Sequence, residues 1–133
     1  VASALVEQVR DSDSVVRNNI LRVLGDIAQD YKEVVIPATP ILPLLDFPRV
    51  SDRSKALYVV YLLSMTTGAV REQILRDSFT TLVSLMECKQ PDHKELAHQI
   101  LRKISGKEFP AEDSRAWLAW YRKLPQSKEV SKK

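Results

Sequence analysis

The sequence predicts an all-α protein, a solenoid of about three helix pairs with a capping helix at its C-terminal end. Two observations carry this prediction. Apolar residues recur at helical spacing in three segments that superimpose on one another, and glycine is scarce. Three glycines in 133 residues leave no room for the many tight hairpins of an all-β fold or for a glycine-rich phosphate loop. With 44% hydrophobic and 28% charged residues, the composition is that of an ordinary globular domain. A chain of this length buries roughly two-thirds of its unfolded surface.

The elements follow in order. Ala2 to Val9 reads as a helix already under way, with no cap before it. Such an open end would stack on further repeats or associate with a second copy of the chain. Asp13 or Ser14 caps the next helix, Val16 to Ala28. The stretch IPATPILPLLDFP carries Pro37, Pro40, Pro43 and Pro48. Thr39 caps a helix there with Pro40 at its first position, but Pro43 falls in the second turn, so that helix is expected to be short or kinked. Ser51 or Asp52 caps a helix running to Ser64, and a further apolar segment covers Ile74 to Met86. Asp92 and Glu95 form a capping box with Pro91 just outside it, opening a helix from His93 to Ser105. Gly106 stands just past its end, where a left-handed residue is expected.

After Gly106, Asp113 caps a last helix carrying Trp117, Trp120 and Tyr121 on one stripe, and Pro125 stops it. Three aromatics on one face suit a lid over the final repeat. These boundaries define one domain over 1–125, with units at 1–30, 34–66 and 70–106, a capping helix at 113–124, and a charged, disordered tail at 126–133.

Pairing Arg17, Arg53 and Lys94 superimposes the three main helices at offsets of 36 and 41 residues. The columns then agree: Ile20, Ala56, Ala97; Val23, Val59, Ile100; Leu24, Val60, Leu101; Ile27, Leu63, Ile104. This is the i, i+3, i+4, i+7 face of a helix. Repetition on that scale marks a solenoid, in which each unit buries its apolar face only by stacking on its neighbours.

Nothing in the sequence assembles a catalytic, cofactor or metal site. His93 and His98, five residues apart, point about 140° away from each other on a helix, with His93 read as a first-turn surface residue and His98 as partly exposed. Cys88 is the single cysteine, which excludes an intrachain disulfide and a thiol cluster for zinc and leans toward a reducing compartment, with the cytoplasm as the default location. No Gly-x-Ser-x-Gly, His-Glu-x-x-His or P-loop pattern occurs. The expectation is a protein that is not an enzyme and needs no cofactor. No apolar run approaches the ~18 residues of a membrane span, and the N-terminus lacks the pattern of a signal peptide. The net charge is +3, but Lys128, Lys132 and Lys133 supply part of it, so the body is near neutral.

The segment LVEQVRDSDSVVRNNILRVLGDIA resembles a HEAT repeat, with Asp11, Val16–Arg17 and Leu24–Gly25 matching the D…VR…LG pattern of that armadillo-like family. The end SGKEFPAEDSRAWLAWY is similar to the Trp-bearing ends of bacterial HEAT-like repeat proteins. The resemblance implies a right-handed α-α superhelix and a ladder of polar contacts between repeats, joined here by Asp11, Arg17 and Arg53. In the second unit Phe47 stands where the aspartate is expected, and in the third Cys88 and Lys94 replace the aspartate and arginine. It also implies a scaffold or binding module, although some relatives are DNA-repair proteins or bilin lyases, so the fold does not fix the activity.

In HEAT-like solenoids the second helix of each pair lines the concave side. The columns facing away from the core are Asn18, Arg22, Gly25; Ser54, Tyr58, Tyr61; and Glu95, Gln99, Arg102. Arg22, Tyr58, Tyr61, Gln99 and Arg102 are therefore the candidate contacts for a protein or peptide, because arginine and tyrosine favour binding hot spots. Nucleic acid is the alternative partner, met by Arg17, Arg22, Arg53, Lys55, Arg102 and Lys103, with Asp26, Asp52 and Glu95 opposing it. An accessory or lyase-type role comes third.

Overall fold

The computed structural model describes residues 13–31 and 36–124. The expected helix over Ala2 to Val9, the ladder residue Asp11 and the charged tail lie outside the described residues. Within them the chain is all-helical: α1 (Ser14–Asp30), a 3-10 turn η1 (Leu42–Asp46), α2 (Val50–Leu63), α3 (Gly68–Glu87), α4 (Pro91–Ser105) and α5 (Ser114–Arg122). No described helix is long and apolar enough to cross a membrane.

Helices α1, α2 and α4 form one row, with α2 between the other two, while η1 and α3 pack behind it and α5 lies on α3. The superimposed columns become the seam between the layers. Ala56, Val59, Val60 and Leu63 of α2 and Ala97, Ile100, Leu101 and Ile104 of α4 are all buried. On α1, Ile20, Leu21 and Leu24 are buried, but Val23 and Ile27 only half-buried. From the second layer come Ile41, Leu44, Leu45, Ile74, Leu82 and Met86.

Several helix starts differ from the sequence expectation. Asp13 caps α1 as expected, accepting from the Val15 amide at 2.8 Å. Asp113 likewise caps α5 through the Ala116 amide at 3.1 Å. Gly106 ends α4 at φ 74°, in the left-handed region that glycine adopts without steric cost. However, α2 begins at Val50 with Arg49 before it, so neither Ser51 nor Asp52 is its cap. Helix α4 begins at Pro91, making that proline its first residue and removing the Asp92–Glu95 box. Proline fits there because the first-turn amide would be unpaired anyway. Helix α3 starts at Gly68, earlier than Ile74, because the Thr67 hydroxyl caps the Val70 amide at 3.3 Å.

The proline-rich stretch forms only a 3-10 turn. Pro43 is its second residue, and Thr39 and Pro40 lie in the preceding turn. Thr39 does not cap a helix; its hydroxyl accepts from Gln73 Nε2 of α3. Short as it is, η1 seats Leu42, Leu44 and Leu45 in the core.

Candidate functional site

The row α1–α2–α4 is stitched by polar contacts at corresponding levels of its helices. The third residue of each helix is Val16, Asp52 or His93. The next two are Arg17–Asn18, Arg53–Ser54 and Lys94–Glu95. Arg17 grips Asp52 through both carboxylate oxygens, Nη2 to Oδ2 at 2.8 Å and Nε to Oδ1 at 3.3 Å, and Asn18 Nδ2 donates to Oδ1 at 3.0 Å. The guanidinium also lies 5.2 Å from the centre of the Phe47 ring. The pair is buried, with the Arg17 side chain 10% exposed and Asp52 fully covered.

One unit later the geometry recurs with different chemistry. Ser54 Oγ sits 3.5 Å from His93 Nδ1, as Asn18 meets Asp52. Arg53 finds no carboxylate and donates through Nη1 to the Phe47 carbonyl at 2.8 Å and the Pro48 carbonyl at 2.9 Å. Arg53 therefore joins η1 to α2, whereas the inter-helix rung runs from Arg17 to Asp52. His93 is only 1% exposed, which corrects its expected surface placement. Its Nε2 is buried without a hydrogen-bond partner. Burial, and after it the charge of Arg53, push its pKa down against an opposing pull from Asp92.

The five candidate contacts fall into three environments. Arg22 and Tyr58 are exposed, the latter 40%. Tyr58 turns toward α1: its hydroxyl donates to Gln29 Oε1 at 3.1 Å, and its ring passes within 3.4 Å of where a Cβ on Gly25 would stand. Gly25 thus meets Tyr58 rather than Tyr61, the residue in its sequence column, because its missing side chain leaves room for the ring. Tyr61 is half-buried against the core. Gln99 and Arg102 turn the other way. Gln99 donates to Glu95 at 2.9 Å, while Arg102 reaches Gln99 at 3.4 Å and pairs with Glu108 at 2.8 Å.

The aromatic stripe closes the C-terminal end. Trp117 is fully buried, its indole nitrogen donating to the Pro110 carbonyl at 3.0 Å. Tyr121 stacks on Phe79 of α3 with centroids 4.4 Å apart and planes 6° from parallel. Trp120 meets the same ring at 5.8 Å. Half-buried His98 donates from Nε2 to the Phe109 carbonyl at 2.9 Å, and its ring stands edge-on to Trp117. Neither histidine approaches a metal-binding cluster, and none occurs among the described residues. Cys88, half-buried, ends α3.

Sequence reasoning missed the pairing of Asp52 and the burial of His93. Both occupy the column that begins with apolar Val16, and a polar residue in an apolar column was the signal that could have found them.

No family model matches the sequence, and no curated protein is similar to it. Among solved structures, the chain is similar to an engineered protein determined by a structural genomics consortium. The TM-score is 0.68 and the identity 16%, over 91% of this chain and 51% of that one. The chain thus spans about half the length of that protein, and the likeness is one of fold alone.

Proposed function

We propose that this chain is a HEAT-like solenoid unit that works without catalysis, binding a protein or peptide on the face formed by α1, α2 and α4. The observation that carries the proposal is the pose of Tyr58. Its ring rests over Gly25 and its hydroxyl is tied to Gln29, yet it stays 40% exposed on the same row as exposed Arg22. A large side chain already held in one rotamer loses little entropy when a partner covers it, and tyrosine beside arginine is a favoured hot-spot pair. Arg102 and Gln99, occupied by Glu108 and Glu95, serve as the polar rim.

The basic residues favour a protein over a nucleic acid. Arg17 is buried against Asp52, Arg102 is paired with Glu108, and Arg53 is tied by one nitrogen to the Phe47 and Pro48 carbonyls, beside the η1 turn. That leaves Arg22, Lys55 and Lys103 for phosphates, few for a duplex or strand whose binding is governed by neutralised phosphates.

The test is capture from a lysate of the source organism on the immobilised chain, with and without nuclease, beside an Arg22→Ala/Tyr58→Ala variant. A protein retained after nuclease and lost with the variant supports the proposal. Retention that nuclease abolishes, or that falls steeply with salt, replaces it with nucleic-acid binding.

A further inference from the structure

A cleft of about 390 Å³ opens between η1, the first turn of α2 and α3. Phe47 and Leu85 give it an apolar wall, Thr81 and Ser84 present hydroxyls from one face of α3, and Arg53 and Asp46 bring opposite charges to it. Its volume falls within the range of small-molecule pockets, roughly 300–1,000 Å³.

Arg53 is the unusual member. The equivalent arginine one unit earlier, Arg17, meets both carboxylate oxygens of Asp52, whereas His93 stands at the position where Arg53 would find a carboxylate. The Arg53 guanidinium is instead fixed by a single nitrogen, Nη1, shared between the Phe47 and Pro48 carbonyls. Its Nε and Nη2 donors make no hydrogen bond among the described residues. A guanidinium anchored on one side with its other donors unused is a receptor for a planar anion, because two parallel N–H donors match the two oxygens of a carboxylate.

We infer that this cleft binds a small carboxylic acid with an apolar body, its carboxylate on Arg53, its body against Phe47 and Leu85, and the hydroxyls of Thr81 and Ser84 completing the oxygen contacts. Asp46 selects the monoanion, since a phosphate dianion beside it meets stronger like-charge repulsion. The site does not depend on the α1–α2–α4 face.

The experiment is a two-dimensional NMR titration of the full chain with benzoate, neutral benzamide and inorganic phosphate. Benzoate is expected to give saturable shifts at the Arg53 Nε–H and at the amides of 46–48 and 80–85. Its affinity should exceed that of benzamide or phosphate by about tenfold or more, the scale of one charge-assisted contact. Arg53→Gln should lose that preference. Because Arg53 also ties η1 to α2, Ser84→Phe, which fills the cleft from an exposed position, is the second variant and should abolish the shifts. Shifts that fail to saturate, that are matched by benzamide or phosphate, or that persist in Ser84→Phe would overturn the proposal.

Discussion

Val16, Asp52 and His93 occupy the same turn of three neighbouring helices, and each choice has a different energetic consequence. Val16 carries no charge or hydrogen-bonding group to satisfy. Asp52 is a buried charge whose desolvation is offset by Arg17 and Asn18, so removing it takes a two-oxygen carboxylate partner from the buried Arg17 cation. Asp52→Ala is expected to cost about 3–5 kcal/mol of stability, measured by urea unfolding. Arg17→Met combined with Asp52→Leu should recover most of that loss, since an apolar pair of similar size carries no buried charge. His93 carries the opposite liability, a buried ring nitrogen without a partner. Its pKa is lowered by burial and by Arg53, so the unfolded chain takes up a proton at a higher pH than the folded one. Stability from this residue is therefore complete above the unfolded value of about 6.5 and declines as the pH falls from there toward the lower folded pKa. Unfolding midpoints measured through that window should drop in the native chain and stay flatter in His93→Leu. The sequence offers Asp52 as a helix cap and His93 as a first-turn surface residue behind an Asp92 cap, because Asp, Ser and a preceding Pro are strong cap signals. Helix α2 starts two residues before Asp52 and α4 two before His93, so both side chains stand inside the first turn and are buried.

At the scale of the elements, the helices whose packing is decided by their own periodicity were legible, and those decided by tertiary contact were not. The apolar columns of α2 and α4 carry through to the buried seam residue by residue. The boundaries of η1 and α3 were not legible. A Pro-rich run leaves several turn geometries nearly equal in energy, and the contacts of η1 with α2 and α3 select among them. The first turn of α3 carries only sparse apolar residues, so its start depends on the Thr67 cap. Helix α5 is the opposite case: nine residues long, it is too short to be stable alone and is held by its aromatic face. Trp117→Ala should cost roughly 3–5 kcal/mol, as expected for a fully buried tryptophan. Its loss should also shift the His98 ring resonances, since that ring stands edge-on to the indole. A freely quenchable indole, or no change in stability, would count against the lid.

For the whole molecule, the Arg17–Asp52 rung and the Ser54–His93 contact join neighbouring helices of one row, while the apolar seam behind them joins the layers. That construction leaves a broad helical face with few internal demands on its exposed side chains. On it, the candidate site was only partly legible. The alternation of exposed columns singled out Arg22 and Tyr58, but pairwise satisfaction by Glu95 and Glu108 removed Gln99 and Arg102 from the front rank. Glu108 lies in the connection after α4, beyond the reach of any helical period. Binding on this face is tested by placing a photo-crosslinking phenylalanine analogue at Tyr58, and separately at exposed Glu72 on α3, then irradiating each in lysate of the source organism. A protein partner on this face gives a discrete adduct from position 58 that protease removes and nuclease leaves, and none of that mass from position 72. Equal adducts from both positions, or adducts at 58 that nuclease removes, would rule that partner out.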